Sequence, residues 1–541
     1  MRWYRGTIRP LKKFRGRFLY ALSSERRFSM AIKLIILLAF FTVMIAVGLY
    51  CRKHATDVNG FVLGGRSVGP WLTAFAYGTS YFSAVIFVGY AGQFGWKYGI
   101  ASTWIGIGNA LLGSLLAWVI LGRRTRVMTH RLESATMPDF FGKRYDSNAL
   151  KLVASVIIFV FLIPYTASLY NGLSRLFEMA FGVDYAVCVI VMAVLTGIYV
   201  IAGGYMATAM NDFIQGIIML FGIVAVIAAV LHGKGGFISA VNGLAVVNDP
   251  VASTQPGVFA SFFGPDPLNL LGVIILTSLG TWGLPQMVQK FYAIKSEKAI
   301  AKGTIISTVF ALVIAGGCYF LGGFGRLFST PEVVANIGFD AIIPTMLANL
   351  PDIIIGVVIV LVLSASMSTL SALVLASSST LTLDFLKENI IKGMKESSQL
   401  ITMRFLIVVF IGISVVIAII QYKSNITFIA QLMGISWGTL AGAFLAPFLY
   451  GLYLKRTSKI AIWFCFIFSV VLMTANLFFR PHFPLLLQSP INCGACTMIV
   501  GLVAVPLISA ISKPPKKDIV DEAFSAYEEK VTVSVKTAIE D

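Results

Sequence analysis

The sequence predicts an all-α polytopic membrane protein of about thirteen transmembrane helices, ten of them arranged as a five-plus-five inverted repeat. Three observations lead there. Hydrophobic residues make up 57% of the 541 and charged residues only 12%, with a mean hydropathy of +0.86, a balance typical of chains buried in lipid. The charges gather in short loops between apolar stretches, most of them near the roughly 20 residues that cross a bilayer. Two of those stretches are interrupted in their middle and stand five spans apart, the pattern of transporters built from inverted repeats.

In chain order, residues 1–29 carry nine Lys or Arg and one Glu and lack the apolar region and cleavage site of a signal peptide. They are expected to be an upstream extension with Met30 as the working start, which would lower the net charge from +18 to +10. A basic arm on the membrane surface is the other reading. The transporter domain covers 30–512. Its spans are expected at 30–51, 70–92, 100–121, 150–178, 185–203, 211–232, 268–290, 303–325, 353–383, 404–421, 427–452, 459–478 and 495–512. The core repeats are 70–232 and 268–452, with one helix before them and two after, and 513–541 form a tail. Counted on alternate sides of these spans, Lys and Arg number 26 on one side and 6 on the other. Cytoplasmic loops carry the positive excess, so a multi-pass plasma-membrane protein is expected, its N-terminus outside and its C-terminus cytoplasmic. The nine N-terminal cations oppose that orientation, which is the reason to set 1–29 apart.

Topology thus accounts for the net charge of +18 without a nucleic-acid surface. The six cysteines (51, 188, 318, 465, 493 and 496) are scattered; the lone Cys493-Gly494-Ala495-Cys496 is a weak metal or redox signal, and packing is the expected role. Four histidines and no nucleophile–base set argue against an enzyme. The 29 residues after 512 are too short for a signalling domain, which leaves a membrane solute sensor as a secondary alternative to a transporter.

The first interruption is Gly78-Thr79-Ser80-Tyr81-Phe82-Ser83. Glycine weakens a helix, and Ser and Thr hydroxyls compete for its backbone hydrogen bonds. Carbonyls freed at membrane depth need a partner that lipid does not offer. A cation is one such partner; a continuous helix packing its small face on a neighbour is the alternative. The second interruption is Gly280-Thr281-Trp282-Gly283-Leu284-Pro285-Gln286, where Pro285 lacks an N–H and Gly283 tolerates unusual torsions. A third stretch, 361–380, is dense in hydroxyls. In it Ala365, Ser368 and Thr369 stand at i, i+3 and i+4 and share a face. One carbonyl and two hydroxyls there, with carbonyls near 79 and 82, make five oxygens suited to a hard cation. Lacking formal charge, the set favours a monovalent ion. A Ser/Thr seam between helices is the other reading.

Several runs resemble the sodium:solute symporter family over about residues 30–510. They are Ala365-Ser366-Met367-Ser368-Thr369-Leu370-Ser371, Leu381-Thr382-Leu383-Asp384, Gly203-Gly204 with Asn211-Asp212-Phe213-Ile214-Gln215-Gly216, and Phe82-Ser83-Ala84 with Phe87-Val88-Gly89. Gly283-Leu284-Pro285-Gln286-Met287-Val288-Gln289-Lys290-Phe291 looks most like the sodium/proline and pantothenate branch. The resemblance implies a LeuT-type fold and symport of Na⁺, the one cofactor expected, with a small-molecule solute. It places the sodium site on the carbonyls of Thr79, Phe82 and Ala365 and the hydroxyls of Ser368 and Thr369, the set the spacing suggests. Asp212 matches a family acid near the inner ion path, with a helix N-cap as its other reading. Some members hold a second sodium between that acid and the hydroxyl helix. Ser371 fits it, while Ala372 stands where a second hydroxyl is expected.

The solute is less constrained. Tyr81 stands where the proline branch has an Asp, and Thr277 and Thr281 stand where it has aromatic residues; Tyr165, after Pro164, matches a branch tyrosine. The candidates for the solute site are Ser83, Ala84, Tyr165, Thr277, Thr281, Trp282 and Gln286, each of which ordinary packing would also explain. Half-helix N-termini attract a carboxylate. An amino acid such as proline, or an organic acid, is therefore expected rather than a sugar, moved by alternating access. A proton-coupled transporter of the same fold is the alternative.

Overall fold

Helices joined by short turns account for nearly all of residues 33–181, 184–249, 255–348, 350–424 and 429–527, which the computed structural model describes; the basic stretch 1–29 and the end of the tail lie outside them. The longer helices are α1 (Lys33–His54), α2 (Pro70–Tyr81), α3 (Val85–Arg131), α4 (Met137–Arg144), α5 (Asn148–Phe181), α6 (Tyr185–His232), α7 (Pro267–Gly283), α8 (Pro285–Ala293), α9 (Glu297–Gly322), α10 (Asp352–Ile390), α11 (Glu396–Ser424), α12 (Ile429–Tyr453), α13 (Lys459–Phe479) and α14 (Pro490–Ile511).

Among the described residues, ten helices are long and apolar enough to cross a membrane, or eleven when the bent pair α7–α8 is one span. The sequence divides the same residues into thirteen because α3 and α6 run for 47 and 48 residues without a loop. At 1.5 Å per residue α6 would extend about 72 Å, against a hydrocarbon core of about 30 Å. Both long helices are interrupted by glycine in torsions closed to other residues: Gly99 at φ 61, ψ −142 in α3 and Gly204 at φ 54, ψ −144 in α6. A Cβ on Gly204 would also stand 2.7 Å from the Phe61 carbonyl oxygen.

The two interruptions read from the sequence are breaks in the backbone. α2 starts with Pro70 in its first turn and ends at Tyr81; Phe82 is extended at φ −91, ψ 113, and helix resumes beyond Ser83. α7 and α8 meet at Leu284, extended at φ −80, ψ 122, because Pro285 bars the residue before it from the helical region. The pair bends by 45°.

α10 runs through the middle of the bundle, against α2, α5, α6 and α11, and is buried on every side from Val358 to Thr380. A helix apolar all round belongs in such a position. The hydroxyls of Ser378, Ser379 and Thr380 turn back on the helix's own carbonyls, as Thr380 Oγ1 does toward Ala376 O at 2.9 Å. Outward, residues such as Val194, Phe221, Ile305, Phe405 and Val503 are exposed, as a lipid-facing surface requires.

Candidate cation and solute site

The break after α2 leaves carbonyls without helical partners, since the residues four ahead are no longer in register. They meet the hydroxyl face of α10. Thr369 Oγ1 lies 3.1 Å from Thr79 O, 3.4 Å from Phe82 O and 3.1 Å from Ala365 O. Ser368 Oγ lies 3.2 Å from Thr79 O and 3.1 Å from Ala365 O. All five residues are buried. The structure thus brings together the five oxygens that the spacing selected. Two hydroxyls have two protons to offer three carbonyls, so the cluster is rich in lone pairs and poor in donors. Oxygen ligands of a hard cation such as Ca²⁺, close to Na⁺ in size, stand at about 2.3–2.6 Å, which sets right-angle neighbours about 3.3–3.7 Å apart. The observed oxygens need a few tenths of an ångström of expansion to accept such an ion.

Asp212 is buried within α6, about two turns beyond Gly204. That position rules out the N-cap reading. Lys290 Nζ of α8 stands 3.8 Å from its Oδ2, and neither carboxylate oxygen has a hydrogen bond among the described residues. Lys290 also lies over the Tyr205 ring at 5.0 Å. Local sequence carries no mark of this pairing, because the two residues are 78 positions apart. Ser371 Oγ donates to Ser368 O at 2.9 Å, one turn from the five-oxygen cluster. Tyr199, which neighbours both Ser371 and Asp212, donates to Met367 O at 2.9 Å.

The solute candidates divide into two groups. Thr281 Oγ1 reaches Gly113 O at 2.9 Å and Trp282 Nε1 reaches Leu112 O at 2.9 Å. Both carbonyls belong to a π-helical stretch of α3, Asn109–Leu116, whose wide turns free backbone groups; Tyr77 Oη also donates to Gly113 O, at 2.8 Å. Thr277 Oγ1 turns back to Val273 O at 2.8 Å. Thr281 and Trp282 thus fasten α7 to α3, while the Thr277 hydroxyl is spent within α7. Ser83 Oγ accepts from Val85 N at 3.2 Å and so opens the second half of the broken span, and the Ala84 backbone packs close to Gly172 of α5.

Tyr165 and Gln286 differ. Both are buried, with Tyr165 Oη and both Gln286 amide atoms lacking a hydrogen-bond partner among the described residues. Tyr165 stands edge-on to Trp437 of α12 at 5.8 Å between ring centroids, and Tyr81 lies 6.0 Å from the same ring. A Cβ on Gly280 of α7 would sit 2.9 Å from Trp437. Trp437 therefore touches the broken span, α5 and α7 at once, and its Nε1 and Tyr81 Oη are also buried without a partner. Unspent polar atoms on an aromatic wall suit a small solute with an apolar body and a polar end. Sequence reasoning missed Trp437. The signal was modest: a lone Trp in the small-residue run Gly434-Ile435-Ser436-Trp437-Gly438.

Residues 61–466 match the sodium:solute symporter family. The chain belongs to that family. It is 30% identical to the osmoregulated proline transporter OpuE of Bacillus subtilis (strain 168) over 443 residues, 80% of this chain and 86% of that one. It is 32% identical to the sodium/proline symporter of Staphylococcus aureus (strain JH9), covering 79% of this chain and 82% of that one. Among solved structures it resembles a Na⁺-coupled sialic acid symporter in a substrate-bound, outward-open state, with TM-score 0.71 at 17% identity over 90% of this chain and 99% of that one. Mhp1, a nucleobase-cation-symport-1 family transporter, follows at TM-score 0.50 and 13% identity over 86% and 98%. These two establish the fold as LeuT-type. The chain is a multi-pass membrane transporter, not an enzyme, and Na⁺ and a small solute are the substrates its family implies.

Proposed function

We propose that the protein imports a small carboxylate-bearing solute, with proline the first candidate, together with Na⁺ bound by Thr79, Phe82, Ala365, Ser368 and Thr369. The observation that supports the ion site is the convergence of five buried oxygens, two hydroxyls reaching three carbonyls through five contacts of 3.1–3.4 Å, across a break in one helix and the middle of another. Na⁺ there ties α10 to α2 and favours the conformer in which both lie together; by linkage the solute, bound beside the same break, and the ion then strengthen each other's binding. Solute contact falls to Tyr165, Trp437 and Tyr81, with Ser83 and Ala84 presenting the N-terminus of the second half-helix to a carboxylate; Gln286 begins the other half-helix, α8. Thr281 and Trp282 shape the wall by fixing α7 to α3, and Thr277 lies one turn before them on α7. Proline is favoured because relatives at 30–32% identity are named proline transporters.

Lys290 beside Asp212 supports a stoichiometry of one Na⁺: the acid already faces a cation, and Ala372 adds no hydroxyl. At 100 mV one Na⁺ supplies about 2.3 kcal/mol, enough for roughly 50-fold accumulation before any sodium gradient. Gly99 and Gly204 divide α3 and α6 into separate crossings in this reading, which gives thirteen spans, the first entering from outside and the last ending in the cytoplasm. Uptake into proteoliposomes across a panel of amino acids and organic acids, with Na⁺ or choline outside, tests it. Uptake that survives choline and follows an imposed pH gradient would replace sodium coupling with proton coupling.

A further inference from the structure

We propose that a groove in the membrane face of α1, α6 and α11 binds an anionic phospholipid from the cytoplasmic leaflet. The groove holds about 690 Å³ and is apolar except at one end, where Arg52 and Arg404 stand; no acid lines it. It runs from Arg404 to Val415 along α11 and back to Ile190 on α6, about 16–18 Å at 1.5 Å per residue. Half of a hydrocarbon core is about 15 Å, so the groove spans one leaflet and carries its charge at the interface. Both arginines belong to the loops with the positive excess, and the leaflet assignment rests on the orientation proposed above.

The arginines are placed for a phosphate rather than for the protein. Arg404 Nη2 makes one long hydrogen bond, 3.4 Å to Ala55 O. Its guanidinium lies 5.6 Å from the Phe61 ring, while its Nε has no partner among the described residues. Arg52 is exposed beside it. A guanidinium pair at the mouth of an apolar slot complements a lipid with a negative head and two tails.

The test titrates the purified full-length transporter with phosphatidylglycerol or phosphatidylcholine and counts bound lipid by native mass spectrometry. Arg52→Gln with Arg404→Gln should weaken phosphatidylglycerol binding about 30-fold, from about 1 kcal/mol per interfacial cation. Gly412→Leu should block the groove without disturbing the fold, since a Cβ at Gly412 meets nothing within 4 Å. Lys392→Gln with Lys395→Gln, cations on the same side but outside the groove, should leave binding unchanged. Equal retention of the two lipids, or wild-type binding by the arginine variant, overturns the proposal. So does a dimer that Gly412→Leu dissociates while lipid retention stays constant. Sodium-driven uptake by the wild-type protein, assayed in parallel, reads the transport function separately, so a failure there is distinguishable from a failure of the groove.

Discussion

Thr369→Val separates a cation site from a packing seam. Valine keeps the β-branched shape of threonine in the helix and removes the oxygen that approaches three carbonyls at 3.1–3.4 Å. One of five oxygen donors is lost. A polar contact to a charged partner contributes about 1.5–3 kcal/mol, so the half-saturating Na⁺ concentration should rise about 10- to 150-fold. Ser368→Ala, which removes contacts to two carbonyls, should fall toward the lower end of that range, and Thr369→Ser, which keeps the oxygen, should stay within about 3-fold of wild type, well below the loss of a polar contact to a charge. The assay is Na⁺ titration of solute uptake in proteoliposomes, with transporter in the membrane quantified for each variant. If the hydroxyls only fasten two helices, the variants lose thermal stability and keep their Na⁺ dependence. Half-saturation within two-fold of wild type for both Thr369→Val and Ser368→Ala, at normal membrane levels, would refute the site.

Three other outcomes follow from the same structure. Trp437→Phe removes an unpartnered buried donor from the aromatic wall and should raise the half-saturating solute concentration about ten-fold with Na⁺ dependence intact, one hydrogen bond being about 1–1.5 kcal/mol; a change under two-fold would take Trp437 out of the solute site. Lys290→Met strands the buried Asp212 carboxylate and should cost about 3–5 kcal/mol, most of it recovered in the Asp212→Asn, Lys290→Met double variant; equal melting temperatures for single and double variants would contradict a charged pair. Gly204→Ala forces a side chain into φ 54, ψ −144 and should destabilise by about 1–3 kcal/mol, read as a lower melting temperature in detergent.

What could be read from the sequence was local. The break at Phe82 is written in Gly78, Thr79, Ser80 and Ser83, and the one at Leu284 in Gly283 and Pro285, because torsional freedom and missing donors are properties of single residues. The face shared by Ala365, Ser368 and Thr369 follows from helical periodicity alone. What stayed hidden depends on helices meeting across the bundle. Nothing in the neighbourhood of Thr281 or Trp282 announces that a π-helical stretch 170 residues earlier offers carbonyls to them. Lys290 stands at the start of a basic loop by position, yet is 2% exposed and faces Asp212. The continuity of α3 and α6 was likewise invisible, since a glycine bend needs no polar loop to mark it. For Trp437 a partial signal existed: α12 has a mean hydropathy of 1.5, the lowest among the candidate spans. The structure buries this least apolar span within the bundle.

α10 carries both ends of the proposed cycle. Its middle supplies three of the five oxygens, and about 22 Å further on its C-terminal end supplies Asp384, which accepts from Thr136 Oγ1 at 2.6 Å. Lys151 of α5 stands 3.7 Å from Asp384, 2.9 Å from Asp139 of α4 and 3.3 Å from Glu388, so the C-terminal end of α10 is fastened to α4 and α5. Among the described residues, the side-chain hydrogen bonds between α2 and α10 are those at the oxygen cluster. An ion can shift a conformational equilibrium only by its difference in affinity between the two states, and that difference is greatest where one state presents five oxygens and the other divides them between separated helices. Thr79 and Phe82 on one side, with Ala365, Ser368 and Thr369 on the other, are divided in that manner. In the proposed cycle that split lets the site hold Na⁺ when α2 and α10 are together and release it when they part, with the charged cluster around Lys151 keeping α10 in place.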